Sequence, residues 1–342
     1  MEMIKKADAG DADSQAQVAC YIMFDDMNEH VDPDWLERAL DYFERAAAQE
    51  NLDAMIALGH IYSRDCGIEL DLAKSTYWYR KLADKGSDIG YQALIYNLTW
   101  LWPNMPPSYF EPYNSKYDYK TLFEYSLKGA LLQNADSMMI IGDMFFAGWH
   151  AKEDKKMALS LYNEAYYNDV IYNPEHNSYG DLALRLGECC YKGIVEEQNV
   201  EKAHDYFQKA LQSVKKLIQE GMPIEFYEGC QQRTQALLEE LESGKVYKPE
   251  AYEKSGELNA EKPYETGLEY FQNDDWEECF LHFSKSALIA LIDYNPSVLV
   301  NAIGMLAPMF KEGIYVEKDE KFADKLIAIV DEYGERVDGD EN

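Results

Sequence analysis

The sequence is short of positive charge. It holds 32 Lys and Arg against 63 Asp and Glu, a formal net charge of −31. A field of that sign repels nucleic acid and anionic lipid, so neither is expected as a partner. It favours solubility and a partner with a basic patch, although carboxylates strung along the whole chain also describe plain solvated helix faces. Long apolar runs are missing as well. Runs such as Ala287 to Ile292 are far below the roughly 20 residues that cross a bilayer. Met1 to Gly10 carries two lysines but no apolar stretch behind them, so no signal peptide is visible and a cytoplasmic location is expected.

Cysteine is sparse and scattered: Cys20, Cys66, Cys189, Cys190, Cys230 and Cys279. No CxxC occurs, which argues against a zinc cluster and for reduced, mostly buried thiols. The histidines His30, His60, His150, His176, His204 and His282 are equally dispersed. There is no HExxH, no nucleophile elbow and no Gly-rich phosphate loop. No catalytic residue, metal or cofactor is therefore expected, and the chain does not read as an enzyme. Runs of β-branched alternation between tight turns are absent too, so strands are not expected.

What is abundant is aromatic and periodic. Of 342 residues 47% are hydrophobic, and there are 27 Tyr, 13 Phe and 6 Trp. Laid on itself, the chain repeats. Leu58-Gly59-His60-Ile61-Tyr62 leads through Gly67-Ile68 to Asp71, then Lys74-Ser75, Trp78-Tyr79, Arg80-Lys81 and Leu82-Ala83, closing at Gly86. Ile141-Gly142 leads through Phe145 and Gly148 to Asp154, Ala158, Leu161-Tyr162 and Ala165. Leu186-Gly187 leads through Gly193 to Asn199, Lys202-Ala203, Tyr206-Phe207 and Lys209-Ala210. Leu306-Ala307 and Phe310 lead through Gly313 and Asp319 to Ala323, and Val18-Ala19 leads through an acidic loop to Arg38-Ala39, Tyr42-Phe43 and Ala46-Ala47. Two weaker units run from Tyr91 to Leu132 and around Gly267, Tyr270, Cys279 and Phe283.

This pattern resembles the Sel1-like repeat, a relative of the tetratricopeptide repeat. That repeat reads Leu-Gly-x-x-Tyr, a Gly-rich loop reaching an Asp, then Lys-Ala-x-x-Trp-Tyr-x-Lys-Ala-Ala. The resemblance spans most of the chain apart from segments near 99–118, 168–180 and 214–262. It implies an all-α, right-handed superhelical solenoid of antiparallel helix hairpins, and a binding scaffold. A secreted, cysteine-rich branch of the family staples each hairpin with a disulfide. Here the cysteines do not recur at paired repeat positions.

The spacing has its own physics. Leu58 and Tyr62 fall on one helix face. Gly59 lets a neighbouring helix come close, and Trp78 and Leu82 form an i, i+4 stripe on the second helix. Ala83, Ala165 and Ala210 are small where two helices cross. Gly67 and Gly193 allow the turn between helices. Each hairpin keeps an apolar side that it cannot bury alone, so stacking is required. Cys190, next to Cys189 and Glu188, sits at the repeat's tyrosine position, where a core thiol is the expected role.

Two segments break the rhythm. Residues 99–118 are rich in Pro and aromatics, including Trp100, Trp102, Tyr109, Phe110 and Tyr113. They read either as a loop folded over a hairpin seam or as a recognition element. Residues 245–263 are polar and read as a linker. The expected organisation is an N-terminal block at 1–244 with about five repeats and the 99–118 insertion, the linker, and a C-terminal block at 264–342 with about two repeats.

In related helical repeats the first helix of each hairpin lines a concave face. Carried over, this gives outward positions Asp53, Ile56, His60 and Arg64; Asp136, Met139, Asp143 and Phe146; and Asp181, Leu184, Glu188 and Tyr191. With Trp100, Trp102, Tyr109 and Phe110 they form the candidate partner-binding set. Carboxylates mixed with apolar groups suit a basic or mixed basic and apolar protein or peptide. The leading expectation is an adaptor. The alternatives are a regulatory or immunity-type protein masking one enzyme, and a hydrolase-like protein of the cell envelope, which would need an export signal and a catalytic cluster.

Overall fold

A computed structural model describes residues 2–24, 34–63, 68, 71–85, 87, 89–90, 93, 119–172, 179–219, 224–244 and 258–339. Arg64, the 99–118 insertion with Trp100, Trp102, Tyr109 and Phe110, and residues 245–257 of the expected linker lie outside the described residues. Among the described residues there are fifteen α-helices and no strand. Among the described residues the all-α class and the helix hairpins expected from the pattern are what the chain adopts.

Two compact units divide the chain, Met1–Leu101 and Trp102–Asn342. The first holds α1 (Glu2–Asp8), α2 (Ala12–Phe24), α3 (Trp35–Ala48), α4 (Leu52–Ser63) and α5 (Leu72–Asp84). The second holds α6 (Tyr119–Leu131), α7 (Ala135–Ala147), α8 (Lys155–Tyr172), α9 (Tyr179–Lys192), α10 (Val200–Gln219), α11 (Ile224–Glu242), α12 (Glu261–Phe271), α13 (Trp276–Ile292), α14 (Pro296–Glu312) and α15 (Glu320–Gly339). The division falls inside the segment read as an N-terminal block, and the C-terminal residues belong to the second unit.

Three devices recur in the hairpins, and α7–α8 and α9–α10 carry all three. The first is a glycine beneath a ring. A Cβ on Gly59 would lie 2.3 Å from the Tyr79 ring, one on Gly142 2.7 Å from Tyr162, and one on Gly187 2.5 Å from Phe207. Only a glycine at that step lets the second helix press an aromatic face onto the first. This corrects the expected Trp78–Leu82 stripe by one position: Ser75, Tyr79, Leu82 and Ala83 are buried, whereas Trp78 is half-buried. Ser75 confirms the closeness by donating its hydroxyl to the Gly59 carbonyl at 2.8 Å.

The second device is a residue that caps the second helix and crosses back to the first. The N–H groups of Asp71, Asp154, Asn199 and Asp319 donate to the carbonyls of Tyr62, Phe145, Cys190 and Phe310. Their side chains accept from the N–H three residues on, at Lys74, Met157, Lys202 and Phe322. One residue thus satisfies an orphan donor of one helix and an orphan acceptor of the other. The third device is the left-handed turn that delivers the chain to that cap. Gly148, Gly193 and Gly313 sit at φ 72, 66 and 71°, followed two residues later by His150, Val195 and Tyr315 at φ 61, 71 and 67°.

Burial follows from these rules. In the first unit Phe43, Leu58, Leu82 and Ala83 are fully buried, each large side chain contributing roughly 1.5–3 kcal/mol. The expected small crossing residues Ala83, Ala165 and Ala210 are fully buried as well. In the second unit α13 packs against α6 and α8, with Phe123 edge-on to Phe280 at 6.1 Å.

Candidate functional site

In the first unit the candidate residues lie on α4. Leu52 is 44% exposed, Asp53 and His60 are exposed, and Ile56 is half-buried. Their spacing puts Leu52, Ile56 and His60 on one helix face. His60 also meets the edge of Tyr79 at 5.9 Å, so the stripe is anchored from beneath.

On α7 and α9 the expected outward row divides. Asp136, Phe146 and Asp181 are half-buried, and Lys155 Nζ lies 5.5 Å above the Phe146 ring. Met139, Asp143, Leu184, Glu188 and Tyr191 are buried. For these five the outward placement is corrected: they are buried where neighbouring helices pack on α7 and α9. Leu184 and Tyr191 join Ala183, Phe207, Leu237 and Leu238 in one apolar cluster.

Asp143 is buried because it has three donors. Arg185 reaches it bidentately, Nε to Oδ1 and Nη2 to Oδ2, both at 2.7 Å. Tyr162 donates its hydroxyl to Oδ1 at 2.6 Å. Fork-to-fork geometry of this kind is the strongest form of such a bond. Burial opposes the Arg185 charge, but Asp143 outweighs it and holds the guanidinium pKa well above its usual value. Burial, then the Asp143 charge, push the Tyr162 hydroxyl well up.

Glu188 repeats the arrangement one hairpin later. Arg233 Nε donates to its Oε1 at 2.9 Å and Lys192 Nζ to its Oε2 at 3.0 Å. In both cases the carboxylate follows the repeat glycine, and the arginine comes from the helix that follows the hairpin, α9 for Arg185 and α11 for Arg233. Asp143–Arg185 and Glu188–Arg233 are successive rungs of one ladder. Sequence reasoning picked the two acids and missed the two bases. The available signal was Arg185 itself, a lone charge between Leu184 and Leu186 in an apolar row, which demands a buried partner.

The cysteines nearby are not poised to react. Burial pushes the Cys189 and Cys230 thiols well up, the opposite of an activated nucleophile. Cys230 shares a hydrogen bond with Asp181, whose carboxyl burial holds above the ordinary range. Cys190 is half-buried against the apolar cluster. Among the described residues no group of three or more His, Cys, Asp and Glu is placed to hold a metal ion. No described helix is long and apolar enough to cross a membrane.

The Sel1 repeat family matches residues 12–51, 52–87, 135–170 and 181–213. The chain therefore carries Sel1 repeats. The four matched Sel1 repeats coincide with the hairpins α2–α3, α4–α5, α7–α8 and α9–α10. Solved Sel1-like structures are similar to it at low identity. A Sel1 repeat protein from Oxalobacter formigenes is 17% identical over 60% of this chain and 74% of that one, with a TM-score of 0.46. A protective antigen of uropathogenic Escherichia coli strains with an SLR fold is 16% identical over 96% and 70%, with a TM-score of 0.32. A Sel1 repeat protein from Klebsiella pneumoniae subsp. pneumoniae is 19% identical over 70% and 98%, also with a TM-score of 0.32. No curated protein matches this Sel1-like chain significantly.

Proposed function

We propose that this Sel1-like repeat protein is a non-catalytic scaffold that binds a protein or peptide carrying basic and apolar side chains. Sel1 repeats commonly serve protein interaction. The observation that carries the reading is the α4 stripe of Leu52, Asp53, Ile56 and His60. It presents acid and apolar groups side by side on an accessible first-helix face. The net charge of −31 adds a long-range field that speeds encounter with a cationic partner and disfavours nucleic acid. On the second unit Asp136, Phe146 and Asp181 carry similar groups of their own, whereas Asp143 and Glu188 serve the protein's own stacking.

The test compares labelled peptide pools of matched length, one rich in Lys, Arg and Leu, the other in Asp, Glu and Leu. The wild type is expected to bind the basic pool with affinity that falls as salt rises. Asp53→Lys with His60→Ala is expected to weaken that binding about fivefold or more. Equal binding of both pools, or unchanged binding by the variant, would overturn the reading.

A further inference from the structure

The contacts between α13 and α6 have a symmetry that the repeat alone does not require. Phe123 on α6 meets Phe145 at 5.9 Å and His150 at 5.4 Å, both from the hairpin that follows it. Phe280 on α13 meets Phe310 at 5.9 Å and Tyr315 at 5.7 Å, again from its own following hairpin. The two central rings then meet each other.

Five residues beyond each phenylalanine stands a lysine, and the lysines cross over. Lys128 Nζ reaches Asp319 Oδ2 at 2.8 Å, and Lys285 Nζ reaches Asp154 Oδ2 at 2.6 Å. Asp319 and Asp154 are the equivalent capping residues of the two hairpins. Each uses Oδ1 to cap its own helix and Oδ2 to take the other's lysine. Residue i of one half touches j of the other, and j touches i, which is the signature of a twofold, isologous interface.

We infer that residues 119–172 and 276–339 are two equivalent helix-plus-hairpin modules docked face to face about a local twofold. This interface, with its reciprocal lysine–aspartate ties, holds the C-terminal module in place. The main contacts of α13 outside its own block are with α6 and α8. The halves differ in wetness. Lys128 and Asp319 have side chains 1% and 9% exposed, with Lys128 also within 3.7 Å of Glu124 and over the rings of Tyr125, Phe310 and Phe322. Lys285 and Asp154 are 29% and 22% exposed. One further tie is not duplicated: Lys120 donates to the Tyr315 carbonyl, and Glu277 stands at the matching place on α13.

The half-exposed tie can be cut without removing the cap, because asparagine still accepts the Met157 N–H. Hydrogen exchange is measured on the full chain for Asp154→Asn, Lys285→Met and the double variant. Amides of 276–292 and of 119–131 are expected to exchange about tenfold faster in both single variants, with 200–219 unchanged. The double variant is expected to be no faster than either single, since both remove the same tie. Unchanged exchange in 276–292 in all three, or acceleration confined to 155–172, would overturn the inference.

Discussion

Two arginine ion pairs at different depths show what charge does for single residues here. Arg45 and Asp41 pair at 3.3 Å with side chains 41% and 63% exposed, where water and entropy leave about 0–1 kcal/mol. Arg185 and Asp143 pair at 2.7 Å with 5% and 4%. Arg185→Ala there strands a buried carboxylate, and a loss of about 3–5 kcal/mol is expected by denaturant unfolding. Arg45→Ala is expected to change almost nothing in the same assay. Asp181 acts in the opposite sense. Burial raises its carboxyl pKa, so the native state keeps the proton longer than the unfolded chain. Its stabilising contribution is present below the unfolded value of about 4 and is lost as pH rises through the raised native value. Asp181→Asn is therefore expected to fare better against wild type at pH 7 than at pH 4. An identical difference in unfolding free energy at both pH values would contradict this.

At the scale of the element, two helical glycines make opposite predictions. A Cβ at Gly187 would press into the buried Phe207 ring, so Gly187→Ala is expected to cost about 1–3 kcal/mol. Exposed Gly304 on α14 meets nothing within 4 Å, and Gly304→Ala is expected to stabilise by about 0.5–1 kcal/mol. Thermal unfolding of the two variants reads both signs. The glycine-and-ring device was legible in the sequence because Gly59, Gly142 and Gly187 each precede an aromatic by the same interval. Its register was less so: Trp78 and Tyr79 are both aromatic, and propensity does not say which ring lies over the glycine. The acids of the candidate face were legible as a row on their own helix. Helix periodicity gives angle about one axis but not what neighbouring helices lay on top, so Asp143 and Glu188 read as outward. Their partners Arg185 and Arg233 stand 42 and 45 positions away, beyond any local pattern.

For the whole molecule, the reach of contacts grows further. Lys285 meets Asp154 across 131 positions and Lys128 meets Asp319 across 191. No periodicity announces such pairs, because each lysine looks like an ordinary solvated helix charge until the other half arrives. A chain ending at Gly244 would leave Phe123 and Lys128 without their cover. It is expected to self-associate at micromolar concentration, read as a rise in mass by light scattering, whereas the full chain keeps that face closed.

The ladder of Asp143–Arg185 and Glu188–Arg233 gives the stack a grammar. Each rung takes its acid from a hairpin and its base from the helix that follows it. Hairpins of this chain are therefore not interchangeable beads. Duplicating α7–α8 would leave an Asp143 facing no arginine, and deleting it would leave Arg185 facing no acid inside the protein. Lengthening the array by recombination has to add units that bring both a base for the hairpin before and an acid for the helix after, as α9–α10 does with Arg185 and Glu188.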